Sequence, residues 1–252
     1  MTVAAPPPEV AETVENALLG GRVRLRQPVK GYRAGMDAAL LAAAVACEPG
    51  QRVIEAGCGA GAVLMQIAAR RPGVAVTGLE RDPAIAGLAR ENARLNGANA
   101  DIVSGDVAAG FRALALEPFD WAVSNPPFFD DPGALRQPAP GKRGAWMADD
   151  GLAAWTGFLL KAVREGGRIV VIHRADRLAD LLSLLGEKAG SFAVRGIHPH
   201  VDEPAKRVLI QAIKTGKAPL RLLPPLVLHE RGGAKHTPAA EAILRGEAGL
   251  GW

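Results

Sequence analysis

The stretch Arg52-Val-Ile-Glu55-Ala-Gly57-Cys-Gly59-Ala-Gly61-Ala62 decides the fold of this chain. It opens with a short apolar run, and its glycines let the backbone turn sharply and approach a ligand closely. Apolar side chains then recur at helical spacing from Val63 to Ala68. The stretch therefore predicts a buried strand, a glycine loop and a helix that starts at the loop.

The same order of strand and helix recurs along the chain. Apolar runs predict further strands at residues 74–80, 101–106, 119–124 and 167–173, and amphipathic segments separate most of them. Two later runs, at 191–197 and 207–213, are expected to be antiparallel and to complete the sheet. The pattern predicts an α/β fold with a doubly wound, mostly parallel sheet of seven strands. Such a sheet binds ligands at the carboxyl ends of its strands.

The ends of the chain differ in composition from its middle. We interpret residues 1–20 as a disordered lead-in, residues 21–215 as one domain with a basic N-terminal arm, and residues 216–252 as a C-terminal extension rich in Pro and Gly. The first residues lack the basic and apolar regions of a secretory signal, and no apolar run reaches 18 residues. These features predict a cytoplasmic protein.

Cysteine content and charge limit the classes of site. The two cysteines, Cys47 and Cys58, lie outside any CxxC or Cys/His cluster, so we expect neither a disulfide framework nor a metal site. The net charge is +4, and basic residues fall into two groups that would suit phosphate contacts. The alternative is a scatter of solvated surface arginines. The groups are Arg22, Arg24, Arg26, Lys30 and Arg33, and Arg136, Lys142 and Arg143.

Acidic residues end three successive predicted strands. They are Glu55, Glu80 and Asp106. The glycines alone would also fit a dinucleotide, but Glu55 would lie beside the pyrophosphate and repel it. A cofactor with a cationic amino acid portion and a sulfonium, such as S-adenosylmethionine, is favoured there. Glu80 can accept from both ribose hydroxyls, and Asp106 can accept from the adenine amino group.

The segment Ser124-Asn125-Pro126-Pro127-Phe128-Phe129 follows the predicted strand 119–124. Two consecutive prolines fix φ and make the loop stiff, so it can hold a polar side chain still. The Asn125 amide together with the flat apolar face of Phe128 suits a planar group that bears an NH₂. As a hypothesis, the carbonyls of Asn125 and Pro126 accept the two N–H groups of the amine, and Phe128 stacks on the base.

In this order, the glycine loop, Glu80, Asp106 and the Asn-Pro-Pro-Phe segment resemble the motifs of class I S-adenosylmethionine-dependent methyltransferases that act on nitrogen. Over residues 30–215 the chain looks most like bacterial tRNA(Val) adenine-N6 methyltransferases. The resemblance implies a Rossmann-like methyltransferase fold, an RNA substrate bound through the two basic groups, and a catalytic segment Asn125 to Phe128. The cofactor contacts that it implies are Asp37, Glu55, Gly57, Cys58, Gly59, Gly61, Glu80, Arg81, Asp106, Val107 and Asn125.

Several alternatives stay open. Phe128 is frequent in rRNA guanine-N2 methyltransferases, and release-factor glutamine methyltransferases share the Asn-Pro-Pro segment because a glutamine amide also presents NH₂. A non-catalytic module that binds cofactor or RNA is the third alternative. Asp37 fits either a helix cap or a contact to the methionine end of the cofactor. Trp121 and Trp155 are expected in the core, and His173 is expected to be a strand-end residue without a catalytic role.

Overall fold

The computed structural model describes residues 12–30, 33–127, 150–232 and 234–252. Strands occur at β1 (Thr13–Leu18), β2 (Val23–Pro28), β3 (Arg52–Ala56), β4 (Ala75–Glu80), β5 (Ala100–Ser104), β6 (Phe119–Ser124), β7 (Val163–Arg174), β8 (Ala189–His198), β9 (Arg207–Lys214) and β10 (Arg221–Val227). Helices occur at α1 (Met36–Ala43), α2 (Ala62–Arg70), α3 (Pro83–Leu95), α4 (Asp150–Ala162), α5 (Leu178–Gly186) and α6 (Pro238–Arg245). Short 3₁₀ turns occur at Leu19–Gly21, Val107–Ala109, Phe111–Leu114 and Ala175–Arg177.

The large sheet has the strand order β10-β8-β9-β7-β6-β3-β4-β5. Only β9 is antiparallel to its neighbours, so the other seven strands all point the same way. Their carboxyl ends form one edge, called the carboxyl edge below. The predicted doubly wound, mostly parallel sheet in a single domain is confirmed. The predicted number of strands is wrong, because β10 adds an eighth.

Two apolar layers cover the two faces of this sheet. Successive strand residues point to opposite sides, so Val53 packs with α1, α2, α3 and α6, whereas Ile54 packs with α4 and α5. Both residues are fully buried, as expected for a central strand covered on both faces. Within the described ranges, none of the helices combines the length and apolar character that a membrane crossing needs.

An antiparallel hairpin precedes the main sheet. β1 and β2 pair from Thr13 opposite Pro28 to Leu18 opposite Val23. The prediction of a disordered lead-in over residues 1–20 is therefore wrong for β1, while residues 1–11 lie outside the described residues. Apolar and basic residues alternate along most of β2, which therefore has one buried face and one exposed face.

The segment predicted as a C-terminal extension, residues 216–252, contains β10 and α6. β10 forms the edge of the sheet beside β8. After α6, the Leu250 N–H donates to the Ala43 carbonyl at 2.9 Å, and the Trp252 indole N–H donates to the Ala44 carbonyl at 2.7 Å. These bonds fasten the segment to the end of α1, so it is an integral part of the domain.

Candidate active site

The loop between β3 and α2 depends on its glycines for its shape. Gly57, Gly59 and Gly61 have φ of +69°, +54° and +86°, a region that residues with a Cβ rarely adopt. The Cys58 N–H donates to the Leu79 carbonyl of β4 at 2.9 Å, which fixes the loop against the neighbouring strand. The loop therefore lies at the carboxyl edge and leads directly into α2.

Gly57 also carries a packing constraint that the sequence did not indicate. A Cβ added there would lie 2.3 Å from Cη2 of Trp155, on α4. Trp155 was predicted to be a core residue, but its side chain is only partly buried, with its ring against the glycine loop. The missing Cβ thus lets the loop backbone approach an indole of the protein itself. Trp155 forms one wall beside the loop.

Glu55 lies at the end of β3 beneath the loop. Its side chain is 2% exposed, and one carboxylate oxygen, Oε2, is buried with no hydrogen-bond partner. Burial and the negative charge of Glu80 raise the pKa of Glu55 well above its usual value, against the opposing effect of the Leu64 backbone N–H. A cationic group beside this carboxyl would offset the cost of its charge, so the site fits a cofactor that carries an ammonium and a sulfonium.

Glu80, the last residue of β4, bonds to the same loop. Its Oε2 accepts from the Gly59 N–H at 3.0 Å, and its Oε1 accepts from the Asp82 N–H at 2.9 Å. Each carboxylate oxygen can accept a second hydrogen bond. Both oxygens are therefore held in place and can still accept from two neighbouring hydroxyls, as a ribose presents them. The adjacent Arg81 is exposed to solvent.

Asp106 follows β5 at the same edge. Its side chain is exposed, and its Oδ1 accepts from the Ala108 N–H at 2.8 Å, which caps the short 3₁₀ turn Val107–Ala109. Val107 is buried. The cap fixes the carboxylate in place, and a carboxylate oxygen outside that bond can accept from an amino group. The three predicted acids therefore lie at the ends of three adjacent strands, β3, β4 and β5.

The Asn-Pro-Pro segment begins where β6 ends, next to β3. Ser124 pairs with Ala56 across the two strands, and its buried hydroxyl donates to the Ala56 carbonyl at 3.0 Å. Asn125 directly follows Ser124, just as Gly57 directly follows Ala56. The segment and the glycine loop thus leave the sheet side by side. Asn125 and Pro127 are half-buried and Pro126 is buried, while Phe128 lies outside the described residues.

Asp37 does not cap α1, which was one of the two roles that the sequence left open for it. The cap position of α1 is Gly35, and Asp37 lies in the first turn of the helix. Its Oδ2 accepts from Nε of Arg207, the first residue of β9, at 3.0 Å. Of the two roles left open for Asp37, the helix cap is excluded, because the chain turns into the helix two residues earlier at the extended Gly35. The contact to the methionine end of the cofactor stays a prediction. The ion pair ties α1 to the carboxyl edge.

The basic arm is β2, and its arginines have partners. Glu15 of β1 accepts from Arg24 at 2.8 Å and from Arg26 at 3.3 Å. Arg22 donates to the Gly246 carbonyl at 2.9 Å, and Arg33 donates to the Asn16 side chain at 2.9 Å. The second basic group, Arg136, Lys142 and Arg143, lies outside the described residues. The arm therefore carries less unpaired positive charge than the sequence suggested. The sequence did not indicate this pairing because Glu15 lies in a separate strand, β1.

Two asparagines, one in α3 and one at its C-cap, hold this arm beside the glycine loop. The Asn92 side chain is fully buried and bonds to both the N–H and the carbonyl of Arg26, at 2.8 Å each. The same amide donates to the Ala60 carbonyl at 2.9 Å. One turn later, Asn96 bonds to the N–H and carbonyl of Arg24 at 2.9 and 2.7 Å. Nothing in the sequence indicated this role of Asn92.

Neither thiol is set up as a nucleophile. Burial raises the pKa of Cys47 to about 11, and burial together with the charge of Glu55 raises the pKa of Cys58 well above its usual value. The thiolate is the reactive form of cysteine, so these side chains are inert near neutral pH. Cys58 instead packs under the glycine loop, where a Cβ on Gly78 would lie 2.6 Å from its sulfur.

Comparison with known proteins agrees with this arrangement. The family model described as the methyltransferase small domain matches residues 33–137. A tRNA1(Val) (adenine(37)-N6)-methyltransferase from Dickeya chrysanthemi is 29% identical over 199 residues, which are 76% of each chain. A release factor glutamine methyltransferase from Xylella fastidiosa is 34% identical over 152 residues, 57% of this chain and 54% of that protein.

A solved structure extends the match over nearly the whole fold. A predicted O-methyltransferase from Agrobacterium tumefaciens is 30% identical, with a TM-score of 0.71, and the match covers 85% of this chain and 98% of that one. The buried Glu55, the fixed Glu80 and the glycine loop provide the features that the cofactor of this family requires. The chain therefore belongs to the class I S-adenosylmethionine-dependent methyltransferases, and its cofactor is S-adenosylmethionine.

Proposed function

We propose that this methyltransferase modifies the exocyclic amino group of a base in RNA, and that the base is an adenine of tRNA methylated at N6. The position of Asn125 carries the proposal. It follows β6 directly, beside the bond between Ser124 and Ala56 and hence beside the glycine loop. An amide side chain so close to the cofactor loop can hold an acceptor nitrogen where methyl transfer takes place.

The acceptor poses the chemical difficulty. An aromatic exocyclic amine is a weak nucleophile because its lone pair is delocalised into the ring. The side-chain carbonyl of Asn125 and the backbone carbonyl of Pro126 can each accept one of its N–H groups. This favours a pyramidal nitrogen whose lone pair is free to react. Proximity and alignment of this kind contribute several kcal/mol to catalysis.

Charge and atoms balance without a dedicated base. S-adenosylmethionine, when bound, supplies an electrophilic methyl group on a sulfonium that becomes a neutral thioether. The acceptor nitrogen gains the methyl group and then loses one proton, which is acidic once the nitrogen is alkylated and passes to solvent. Asn125 therefore only has to bind and orient the amine, and no histidine is required in the reaction.

A base must leave its stack to reach this loop. An unpaired or flipped base could stack on Phe128, as its position after Pro127 suggests, a contact of about 1–3 kcal/mol per base. RNA is favoured as the substrate because the Dickeya chrysanthemi relative is named for adenine 37 of a tRNA. The arm that carries Arg24 and Arg26 lies next to the glycine loop through Asn92, where it can contact phosphates.

A protein glutamine acceptor is the second candidate. The relative from Xylella fastidiosa is named for release factors, and a glutamine amide offers the same planar NH₂ to Asn125. That match spans 54% of the relative, so it supports the shared catalytic core more than a shared substrate. The Asn-Pro-Pro segment favours nitrogen over an oxygen acceptor in either case.

One labelling experiment separates these substrates. The protein is incubated with methyl-labelled S-adenosylmethionine and, in parallel, with total tRNA, total rRNA and release factors, and the labelled nucleoside or residue is identified. We expect N6-methyladenosine in tRNA. Labelled N2-methylguanosine in rRNA would show that the acceptor is guanine and not adenine. Label found only in protein would overturn the RNA proposal.

A further inference from the structure

The carboxyl edge continues well past Asn125, and the function proposed above uses only part of it. Beyond β6 lie β7, β9, β8 and β10. β8 ends at His198, and β10 ends at Val227 directly opposite it. The loops that follow, residues 199–206 and 228–237, therefore emerge on the same edge as Asn125. Four of the five histidines of the chain lie at the end of β8 or in these loops.

Three of these histidines form a continuous group of rings. The ring centroids of His200 and His229 are 5.7 Å apart with planes inclined at 51°, and those of His229 and His236 are 5.1 Å apart at 30°. These are aromatic stacking distances. All three side chains are half-buried, so the group lies at the surface rather than in the core. We call it the histidine stack.

The hydrogen bonds of the stack fix the middle ring. Nδ1 of His229 lies 2.7 Å from the Lys235 carbonyl oxygen, so that nitrogen carries a proton and donates. Nδ1 of His200 and of His236 is buried without a hydrogen-bond partner among the described residues. The rings are therefore held mainly by contact with each other and with the loops.

A metal does not account for this arrangement. Histidines that bind a metal converge on one point, whereas these rings pack against one another with tilted planes. Across the described parts of the chain, no group of three or more His, Cys, Asp or Glu residues is arranged to hold a metal ion. Flat rings at a ligand-binding edge serve better as a surface on which another ring can stack.

The surroundings of the stack also suit an unpaired base. Val201, next to His200, is 83% exposed, so it adds accessible apolar surface beside the rings. Arg231 pairs with Asp202 at 3.2 Å and Glu203 at 3.0 Å, which joins the two loops and leaves little net charge between them. The surface is therefore apolar and aromatic rather than strongly basic, which is appropriate for base faces and not for phosphates.

We propose that the histidine stack and Val201 form a stacking surface for unpaired bases of the RNA substrate that flank the methylated nucleotide. This inference rests on the proposed RNA function. β8 lies three strand positions from β6, about 14 Å at roughly 4.8 Å per strand, so the surface is too far away for the target base itself. Histidine is among the side chains on which unstacked RNA bases stack.

Binding of tRNA to matched variants tests this inference. His200→Leu removes a flat ring and His200→Phe keeps one, so we expect the Leu variant to bind tRNA roughly five- to a hundredfold more weakly and the Phe variant to bind nearly as wild type. Val201→Trp adds a ring at an exposed position that carries little risk to folding, and it should tighten tRNA binding. The dissociation constants are measured by fluorescence anisotropy with the labelled tRNA that the wild type methylates.

Controls separate this surface from the catalytic site. Leu222→Ala removes another exposed apolar side chain, near the start of β10 and thus at the opposite edge, and it should leave tRNA binding unchanged. Each variant should bind S-adenosylmethionine as wild type does, and the loss should appear in KM for tRNA rather than in kcat.

Two failures are distinguishable. If the wild type methylates tRNA and neither His200→Leu nor Val201→Trp changes its affinity, the stacking surface is wrong and the proposed function stands. If the wild type neither binds nor methylates any RNA, the function and the stacking surface are both wrong.

Discussion

Gly57→Ala tests the contact between the glycine loop and Trp155. The new Cβ would lie 2.3 and 2.8 Å from two ring carbons of Trp155, where carbon atoms normally stay near 3.5–4.0 Å apart. Overpacking of this kind costs about 1–3 kcal/mol, and the left-handed backbone costs a residue with a Cβ about 1–2 kcal/mol. We therefore expect the free energy of unfolding to fall by about 2–5 kcal/mol.

Gly59→Ala is the matched control for this substitution. Gly59 has φ of +54°, but no atom lies within 4 Å of a Cβ added there, so its substitution should show the backbone cost alone, about 1–2 kcal/mol. The loss of stability in Gly57→Ala beyond that in Gly59→Ala is the part due to the clash with the indole. Most of this part should disappear when Gly57→Ala is combined with Trp155→Leu. Urea unfolding followed by far-ultraviolet circular dichroism measures the free energy of unfolding of each variant. This signal reports on the backbone, so it can be compared between variants with and without Trp155. A Gly57→Ala variant that loses no more stability than Gly59→Ala, or that Trp155→Leu does not rescue, would exclude a clash with the indole.

Three further substitutions probe the rest of the site. Asn125→Ala should abolish methyl transfer while S-adenosylmethionine affinity stays within about twofold in calorimetry, and a variant with full turnover would exclude the orienting role. Asn92→Ala should lower the free energy of unfolding by about 2–4 kcal/mol, since it removes a buried side chain and leaves partly buried backbone groups of the arm and the glycine loop unpaired. The exposed Asn99→Ala should change it by less than about 0.5 kcal/mol. Glu55→Gln should stabilise the protein at neutral pH but not below pH 4.5. The pKa of Glu55 is raised in the folded state. The carboxyl therefore does not affect the free energy of unfolding at a pH where it is protonated in both the folded and the unfolded protein. As the pH rises from 4.5 through the folded-state pKa, the carboxyl lowers that free energy progressively. The same variant should bind the cofactor more weakly, and a gain that does not depend on pH would contradict the assignment.

The central strands were predictable because their physical cause is local. The run Phe119 to Ser124 is apolar except for Asp120 and Ser124, as expected for a strand covered on both faces, and β6 has those same bounds. The glycine loop and the acids that end β3, β4 and β5 follow from the same pattern, since parallel strands bring their carboxyl ends to one edge. Their positions in the fold, though not their roles, could therefore be inferred from the sequence.

β10 could not be recognised from its sequence. It contains Pro224 and Pro225, which lack backbone donors and argue against a central strand. An edge strand with one partner tolerates them, and the register of β10 against β8 shifts between Leu223 and Leu226, where the prolines lie. Only the tertiary position of the strand makes this sequence acceptable.

Contacts between distant segments were equally invisible in the sequence. The pairing of Asp37 with Arg207 joins residues 170 positions apart, and the acid that pairs with Arg24 and Arg26 comes from a segment predicted to be disordered. The ring of Trp155 against Gly57 depends on where α4 crosses the sheet. Periodicity and propensity describe each element separately, and such pairs are fixed only when the elements pack.

The side chain of Asn92 has a consequence for how the two ligands of such an enzyme influence each other. It bonds to the Arg26 backbone of the arm and to the Ala60 carbonyl of the glycine loop at the same time. A ligand that moves either the arm or the glycine loop therefore changes the free energy of the hydrogen bonds that this amide makes to the other segment. Thermodynamic linkage makes such an effect reciprocal, so the RNA that we propose contacts the arm and the cofactor at the loop would alter each other's affinity by the same factor.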